Sequence, residues 1–146
     1  MMIKYRFYEI SAILAIITLT VLAGFSCAKA TDTAPLTGVT WTLKSYGDPG
    51  KLTAALPDKE TTLTFDKEKK EVGGNGGVNG YSGDYTVNGT KLTVRDIMLT
   101  LLGGPEPLMN QESTFLTILE SAQSYKISGQ ELTITGTAGI LVLLQK

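Results

Sequence analysis

Hydrophobic and polar residues alternate along most of the chain after residue 36, which is the pattern of β-strands with one buried face. The Asn88-Gly89 dipeptide between two such segments is typical of a tight hairpin turn. The final segment is apolar on both faces, which indicates a strand in the middle of a sheet or within a closing barrel. The alternation predicts strands at 39–43, 61–65, 81–87, 91–94, 125–128, 131–135 and 140–144.

One segment changes to helical spacing. Apolar residues recur at three- and four-residue intervals from Leu108 onward, which predicts a helix that ends near Ser121. Asn110 is the expected cap, with Glu112 in the first turn.

The stretch 46–59 contains glycine and proline and predicts a long surface connection. We therefore expect an α+β domain, mainly an antiparallel β-sheet of about seven to eight strands, barrel-like or strongly curved, with one helix.

The N-terminal stretch combines a short basic start with a long apolar run. Lys4 and Arg6 precede residues 10–26, which contain no Lys, Arg, Asp or Glu. This arrangement is that of a secretory signal sequence. The run is slightly shorter than the about 20 apolar residues of a membrane-spanning helix, and small residues follow it in place of a basic flank. Cleavage is therefore favoured over a permanent span.

Two cleavage sites compete at the end of this run. Residues 24–27, Gly-Phe-Ser-Cys, resemble a lipobox, and Cys27 is the only cysteine of the chain. In that interpretation Cys27 is acylated and becomes the mature N-terminus. Residues 28–30, Ala-Lys-Ala, instead fit the small-x-small rule of ordinary signal peptidase. Cleavage after Ala30 would give a secreted or periplasmic soluble domain.

The expected organisation follows the lipobox interpretation. We expect a signal peptide at 1–27, a flexible tether at 28–36 and a folded domain at 37–146. The domain would be exported and held by its lipid on the outer side of a cell membrane, which makes the membrane its first partner.

Charge and residue inventory exclude several function classes. A mature chain from Cys27 has 11 basic and 13 acidic residues, a net charge of −2, which argues against nucleic acid as a partner. The chain has no histidine, so it lacks the usual general base near neutral pH and the commonest zinc ligand. No cofactor or metal is expected. With one cysteine, an intramolecular disulfide is impossible.

An enzyme is not expected, although a carboxylate-based hydrolase stays as the least favoured alternative. Asp66, Glu68 and Glu71 lie in a charged turn, and Asp84 stands apart from them. No pairing of the kind that glycoside hydrolysis needs can be inferred from these positions.

The segment 72–85 is unusually rich in glycine, with six glycines within eleven residues. Exposed backbone and aromatic rings suit recognition, which makes this segment a candidate binding surface. In the alternative interpretation, the glycines only shape a bulged hairpin and Tyr85 lies in the core. The candidate surface residues are Asn75, Asn79, Tyr81 and Tyr85.

Several pieces of the chain, in order, resemble the META domain family of HslJ-like heat-shock and envelope lipoproteins over residues 36–146. They are the segments 38–43, 63–65, 76–85, 109–116 and 132–134. The resemblance implies a lipoprotein or secreted domain, associated with stress tolerance and without established catalytic activity. We therefore expect a non-enzymatic, extracytoplasmic binding module for an unidentified envelope protein or ligand. An assembly accessory, or chaperone-like lipoprotein, for another envelope component is the alternative.

The chain departs from the family at two cysteines. Gly77-Val78-Asn79 stands where the family has Gly-Cys-Asn, and Gly104 stands where it has a second cysteine. The joint absence implies that the two cysteines pair with each other in relatives. We therefore expect Val78 and Gly104 to lie close together in space.

Overall fold

The computed structural model describes residues 33–146. Cys27, the predicted signal peptide and the first part of the predicted tether lie outside these residues. The described part contains nine strands and one helix. They are β1 (Thr40–Asp48), β2 (Lys51–Ala54), β3 (Thr62–Asp66), β4 (Glu71–Asn75), β5 (Gly80–Asn88), β6 (Lys91–Leu99), α1 (Glu106–Glu120), β7 (Ala122–Ser128), β8 (Glu131–Gly136) and β9 (Gly139–Gln145).

Eight of these strands form a closed antiparallel barrel. The order is β1-β3-β4-β5-β6-β7-β8-β9, and β9 pairs with β1 from Ile140 to Gln145 to close it. Closure pairs β9, the last strand of this order, with β1, the first, whereas β6 and β7 pair at only one position, Lys91 with Ser124. The predicted fold class, mainly antiparallel sheet with one helix, is confirmed, and the doubly apolar final strand is one of the two that close the barrel.

The ninth strand, β2, lies where the sequence predicts a surface connection. β1 continues to Asp48, and its second half pairs with β2 across a turn at Gly50. All four residues of β2 are exposed. An exposed strand has no buried face, so the alternation that predicts seven of the other strands is missing here. The alternation does not predict β4 either, because two of its five residues are glycines and only Val72 is buried.

Large side chains from all around the barrel fill its interior. Trp41 is fully buried, and its indole Nε1 donates a hydrogen bond to the Leu36 carbonyl oxygen at 3.1 Å. The Phe65 ring contacts Tyr85 edge-on, with centroids 5.0 Å apart. This core stabilises the described domain without a disulfide, at roughly 1.5–3 kcal/mol for each large apolar side chain that folding removes from water.

The segment before β1 packs against the end of the barrel that carries the β7–β8 turn. Ala34 is only 7% exposed, and its N–H donates to the Gly129 carbonyl oxygen at 2.9 Å. The packed domain therefore includes residues 34–36 of the predicted tether. This position also fixes where the chain enters the domain.

Helix α1 lies across the opposite end of the barrel. Gly136 and Gly139, at the β8–β9 turn, allow it to approach closely. A Cβ on Gly139 would lie 2.7 Å from the Gly47 carbonyl oxygen and 3.1 Å from Cδ1 of Ile118. A larger residue at this turn would push the helix off the barrel.

The helix begins earlier than its predicted cap. Pro105 is the N-cap residue and Pro107 lies in the first turn, where its lack of an N–H costs nothing. Asn110 therefore lies inside the helix, and Glu112 points into the protein instead of sitting in the first turn. Among the described residues, no helix is both long and apolar enough to cross a membrane.

Candidate functional site

A buried carboxylate joins helix α1 to the glycine-rich segment at the helix end of the barrel. Glu112 is 3% exposed. Its Oε2 accepts hydrogen bonds from the backbone N–H groups of Val78 at 2.9 Å and Asn79 at 2.6 Å. Its Oε1 accepts a third from Asn79 Nδ2 at 2.6 Å. Three donors directed at one carboxylate offset much of the cost of burying it.

Asn79 extends this network to the loop that follows β6. Its Oδ1 accepts hydrogen bonds from the Leu102 N–H at 2.7 Å and the Thr100 hydroxyl at 2.9 Å. Since Asn79 also donates to Glu112, one buried amide holds the loop against both the glycine-rich segment and the helix.

A second buried amide, Gln111 on α1, holds the β2–β3 connection in the same way. Gln111 Nε2 donates to Thr61 Oγ1 at 3.0 Å, and its Oε1 accepts from the Leu56 N–H at 2.7 Å. The Thr61 hydroxyl in turn donates to the Gly76 carbonyl oxygen at 2.9 Å. Helix α1 is therefore fixed to the barrel by polar contacts as well as by its apolar face.

The glycines of the segment 72–85 make room for this network. A Cβ added to Gly76 would lie 2.6 Å from Oε2 of Glu112. A Cβ added to Gly83 would lie 2.8 Å from the Arg95 carbonyl oxygen, beside a bulge in β6 where Asp96 has a φ of +55°. At both positions a neighbouring atom comes too close to leave room for a Cβ, which explains the glycine. Neither glycine is explained by an exposed loop.

An apolar groove of about 490 Å³ lies beside the network, between the end of β6, the loop after it and α1. Ile97 and Leu99 line the strand side, and Met109 and Leu116 line the helix side. Leu101 and Leu102 form the rim. The volume lies within the range of ligand pockets in proteins, which is roughly 300–1,000 Å³.

The rim of the groove is strongly exposed. Leu101 is 93% exposed and Leu102 is 61% exposed. Single exposed leucines are common on proteins, whereas a contiguous apolar patch beside a groove is typical of an interaction site.

The structure separates the four residues of the predicted binding surface. Asn75 is exposed, and its Oδ1 accepts a hydrogen bond from the Gly77 N–H at 2.7 Å. Asn79, Tyr81 and Tyr85 are 2–6% exposed and offer almost no surface to a partner. The glycine-rich segment instead has the geometry of the alternative interpretation, a hairpin with Tyr85 in the core, because its side chains alternate into the barrel.

Tyr81 and Tyr85 lie in the core, and the pKa of each hydroxyl is raised, which favours the protonated form. The Tyr81 hydroxyl donates to the Thr62 carbonyl oxygen at 2.8 Å, and burial raises the pKa of Tyr81 well above its usual range. Burial, together with the negative charge of Asp66, also raises the pKa of Tyr85.

The carboxylates of the charged turn are engaged in local structure. Asp66 Oδ1 accepts hydrogen bonds from the N–H groups of Glu68 and Lys69, at 2.9 and 3.0 Å. The Lys69 donor is the main cause that lowers the pKa of the Asp66 carboxyl. Within residues 33–146, no group of three or more His, Cys, Asp or Glu side chains is arranged to hold a metal ion.

Val78 and Gly104 lie in contact, as the departure from the family pattern predicts. A Cβ on Gly104 would lie 3.4 Å from Cβ of Val78 and 2.8 Å from its Cγ2. Disulfides join Cβ atoms roughly 3.5–4.5 Å apart. The prediction that these two positions are close is confirmed, and the pair borders the loop that forms the rim of the groove.

Sequence reasoning missed the groove and the role of Glu112. A short apolar run precedes the Gly-Gly-Pro loop and contains Leu99, Leu101 and Leu102. This run was the signal available for the rim. Helical spacing is the signal for Glu112, which lies four residues after Leu108 and three before Phe115 and so falls on the apolar face of the helix.

The chain matches the family model described as META domain over residues 34–146. An NMR structure of a protein from Burkholderia xenovorans is similar, with a TM-score of 0.66 and 18% identity over 76% of this chain and 83% of that one. A crystal structure of a duf4847 family protein from Bacteroides vulgatus has a TM-score of 0.52 and 13% identity, with 75% and 93% covered. At these identities the likeness shows the fold alone. No curated protein matches the sequence.

Proposed function

The chain belongs to the META domain family, and from this premise we propose that it is a non-enzymatic, lipid-anchored extracytoplasmic module that binds an envelope component through the apolar groove. The observation that carries the proposal is the groove itself, with its exposed leucine rim. A stress-related role is the biological context that we propose for this binding.

The position of the groove relative to the chain entry supports a partner away from the anchoring membrane. Ala34 packs at the β7–β8 turn, whereas the groove lies at the α1 end of the barrel. A fully extended segment from Cys27 to Ala34 spans at most about 25 Å. A lipid at Cys27 would therefore keep the entry end of the domain within about this distance of the membrane, while the groove lies at the other end of the barrel.

The rigid setting of the groove also supports binding. Loop residue Leu102 is held through its N–H by Asn79, and Asn79 is held by Glu112. An apolar rim on a free loop would collapse onto the protein surface, whereas this loop is held open by buried hydrogen bonds. Preorganisation of this kind lowers the entropic cost of binding.

Among residues 33–146, the side-chain contacts supply no arrangement on which we would propose catalysis. The most buried carboxylate, Glu112, is occupied by three N–H donors. An assembly accessory for another envelope protein differs from our proposal only in the identity of the partner, and the same groove would serve it.

Site-specific crosslinking in cells tests the proposal. A photoreactive amino acid is placed at Thr117, which lines the groove, or at Thr114, which is an exposed threonine on the same helix outside the groove. The two positions are closely matched, because each hydroxyl donates to the carbonyl oxygen four residues earlier.

We expect a discrete crosslinked partner from Thr117 and none from Thr114, with the product recovered in the membrane fraction. Absence of any adduct from Thr117, or identical adducts from both positions, would show that the groove is not the binding surface.

A further inference from the structure

The strand side of the groove is an open β-sheet edge. β6 pairs with β5 along most of its length, from Lys91 to Leu99. On its other side it pairs with β7 only where Lys91 lies opposite Ser124. In the part of the chain that the structure describes, no strand pairs with β6 on this side past Lys91, and the groove separates this edge from α1.

At the end of β6, backbone groups face away from β5 beside the groove. The Thr100 N–H donates to the Gly80 carbonyl oxygen at 3.0 Å, so Thr100 faces β5. Backbone direction alternates along a strand, so the N–H and C=O of Leu99 and the C=O of Ile97, which follows the bulge at Asp96, point away from β5. Leu99 and Ile97 are the strand residues that line the groove.

The charge of the groove lining has a single sign. Glu112 and Glu120 line it, and no Lys or Arg does. Glu112 already accepts three hydrogen bonds, whereas Glu120 is exposed at the C-terminal end of α1. A ligand with a basic group near Glu120 therefore has complementary charge.

We propose that the groove binds an extended segment of a partner protein that adds as a strand to the open edge of β6. Alternate apolar side chains of this segment would pack between Leu99 and Leu116, and a Lys or Arg would lie near Glu120. Main-chain hydrogen bonds supply affinity in this binding mode, and side-chain pockets supply specificity. The inference rests on the proposed function and specifies the chemistry of the partner.

A protein strand fits this site better than a lipid chain does. An acyl chain would cover the outward N–H and C=O of Leu99 and the outward C=O of Ile97 without hydrogen-bonding them, which is unfavourable for buried polar groups. A peptide strand satisfies the same groups. The apolar rim alone would suit either ligand, so the strand edge is what distinguishes them.

The mature protein is titrated with a six-residue peptide of alternating Val and Lys, and backbone amide hydrogen exchange is followed. We expect saturable binding that slows exchange at Ile97 and Leu99. The matched control peptide has the same side chains and a methyl group on every backbone nitrogen, which removes its N–H donors. We expect it to bind at least about tenfold more weakly.

The contribution of charge to peptide binding is tested with two variants of the protein, each of which reverses one charge. Glu120→Lys is expected to weaken binding of the Val/Lys peptide about fivefold, because the complementary charge is lost. Glu71→Lys reverses an exposed charge on β4, outside the groove lining, and is expected to leave binding unchanged.

The inference is overturned if the methylated peptide binds as tightly as the unmethylated one, or if neither binds. It is also overturned if vesicles of phosphatidylethanolamine and phosphatidylglycerol, instead of the peptide, slow exchange at Ile97 and Leu99. If crosslinks from Thr117 persist in cells while either result is obtained, the groove remains the binding surface and only strand addition is wrong.

Discussion

At the scale of single residues, the site depends on polar side chains whose partners are far away in sequence. Asn79 belongs to the motif that resembles the family, and its position on a glycine-rich segment suggested an exposed role. The structure places it at 2% exposure, between Glu112 and the loop after β6. The sequence could identify Asn79 as special, whereas its role depends on contacts that only the closed barrel creates.

Loss of the Glu112 charge is expected to destabilise the domain. In Glu112→Gln, one carboxylate oxygen becomes an NH₂ group, so at least one of the three donors at this site loses its acceptor. Leaving a buried donor unsatisfied costs about 1–3 kcal/mol. Urea unfolding of the mature protein measures the change.

Glu120→Gln is the matched control, since Glu120 is on the same helix and exposed. Its free energy of unfolding should stay within about 0.5 kcal/mol of the unmodified protein. Equal effects of the two substitutions would contradict the role given to Glu112.

Tyr81 is expected to make stability dependent on alkaline pH. The unfolded chain releases this proton near pH 10, about the usual value for tyrosine, whereas the folded protein retains it because burial raises the pKa of Tyr81. The stability that this group contributes is therefore complete below about pH 10 and falls as the pH rises above it.

Tyr81→Phe removes that titration and also the hydrogen bond to Thr62. We expect it to cost about 1 kcal/mol at neutral pH and to reduce the loss of stability between about pH 10 and 11, measured by urea unfolding. An alkaline decline as steep as that of the unmodified protein would show that Tyr81 is not the titrating group.

At the scale of elements, most strands and the helix could be predicted because each buries one face. The prediction failed for β2, whose residues are all exposed, and for β4, where Gly73 and Gly74 interrupt the alternation. It also failed for the start of α1, where Pro105 and not Asn110 is the cap. A residue such as Asn110 has good capping chemistry, but two prolines upstream already fit the first turn.

A disulfide should form between the positions where relatives carry cysteines. In a Cys27→Ser background, Val78→Cys with Gly104→Cys is expected to cross-link, because the Cβ positions lie 3.4 Å apart. The cross-link should raise the free energy of unfolding by about 3 kcal/mol relative to the reduced form. Urea unfolding with and without reductant measures the difference.

The single substitution Gly104→Cys is the control for this pair. Its Cβ would lie 2.8 Å from Cγ2 of Val78, so it should destabilise the domain when Val78 is kept. A double variant that remains reduced under oxidising conditions would contradict the geometry.

At the scale of the whole molecule, the barrel separates two ends with different structures. The chain enters at the β7–β8 turn, and α1 with its groove covers the other end. The closed barrel could be anticipated from the doubly apolar last strand and the resemblance to the family. The groove could not, because it forms between a strand and a helix that the sequence does not show to be neighbours.

The central proposal is that Cys27, through its lipid, anchors the domain at a membrane. The most direct test is the intact mass of the native protein, recovered separately from detergent-extracted membranes and from the soluble extracytoplasmic fraction. The account predicts a membrane-extracted species whose mass equals that of residues 27–146 with acyl chains on Cys27. A soluble species that begins at Thr31 would contradict it, since the domain would then carry no lipid to hold it at a membrane.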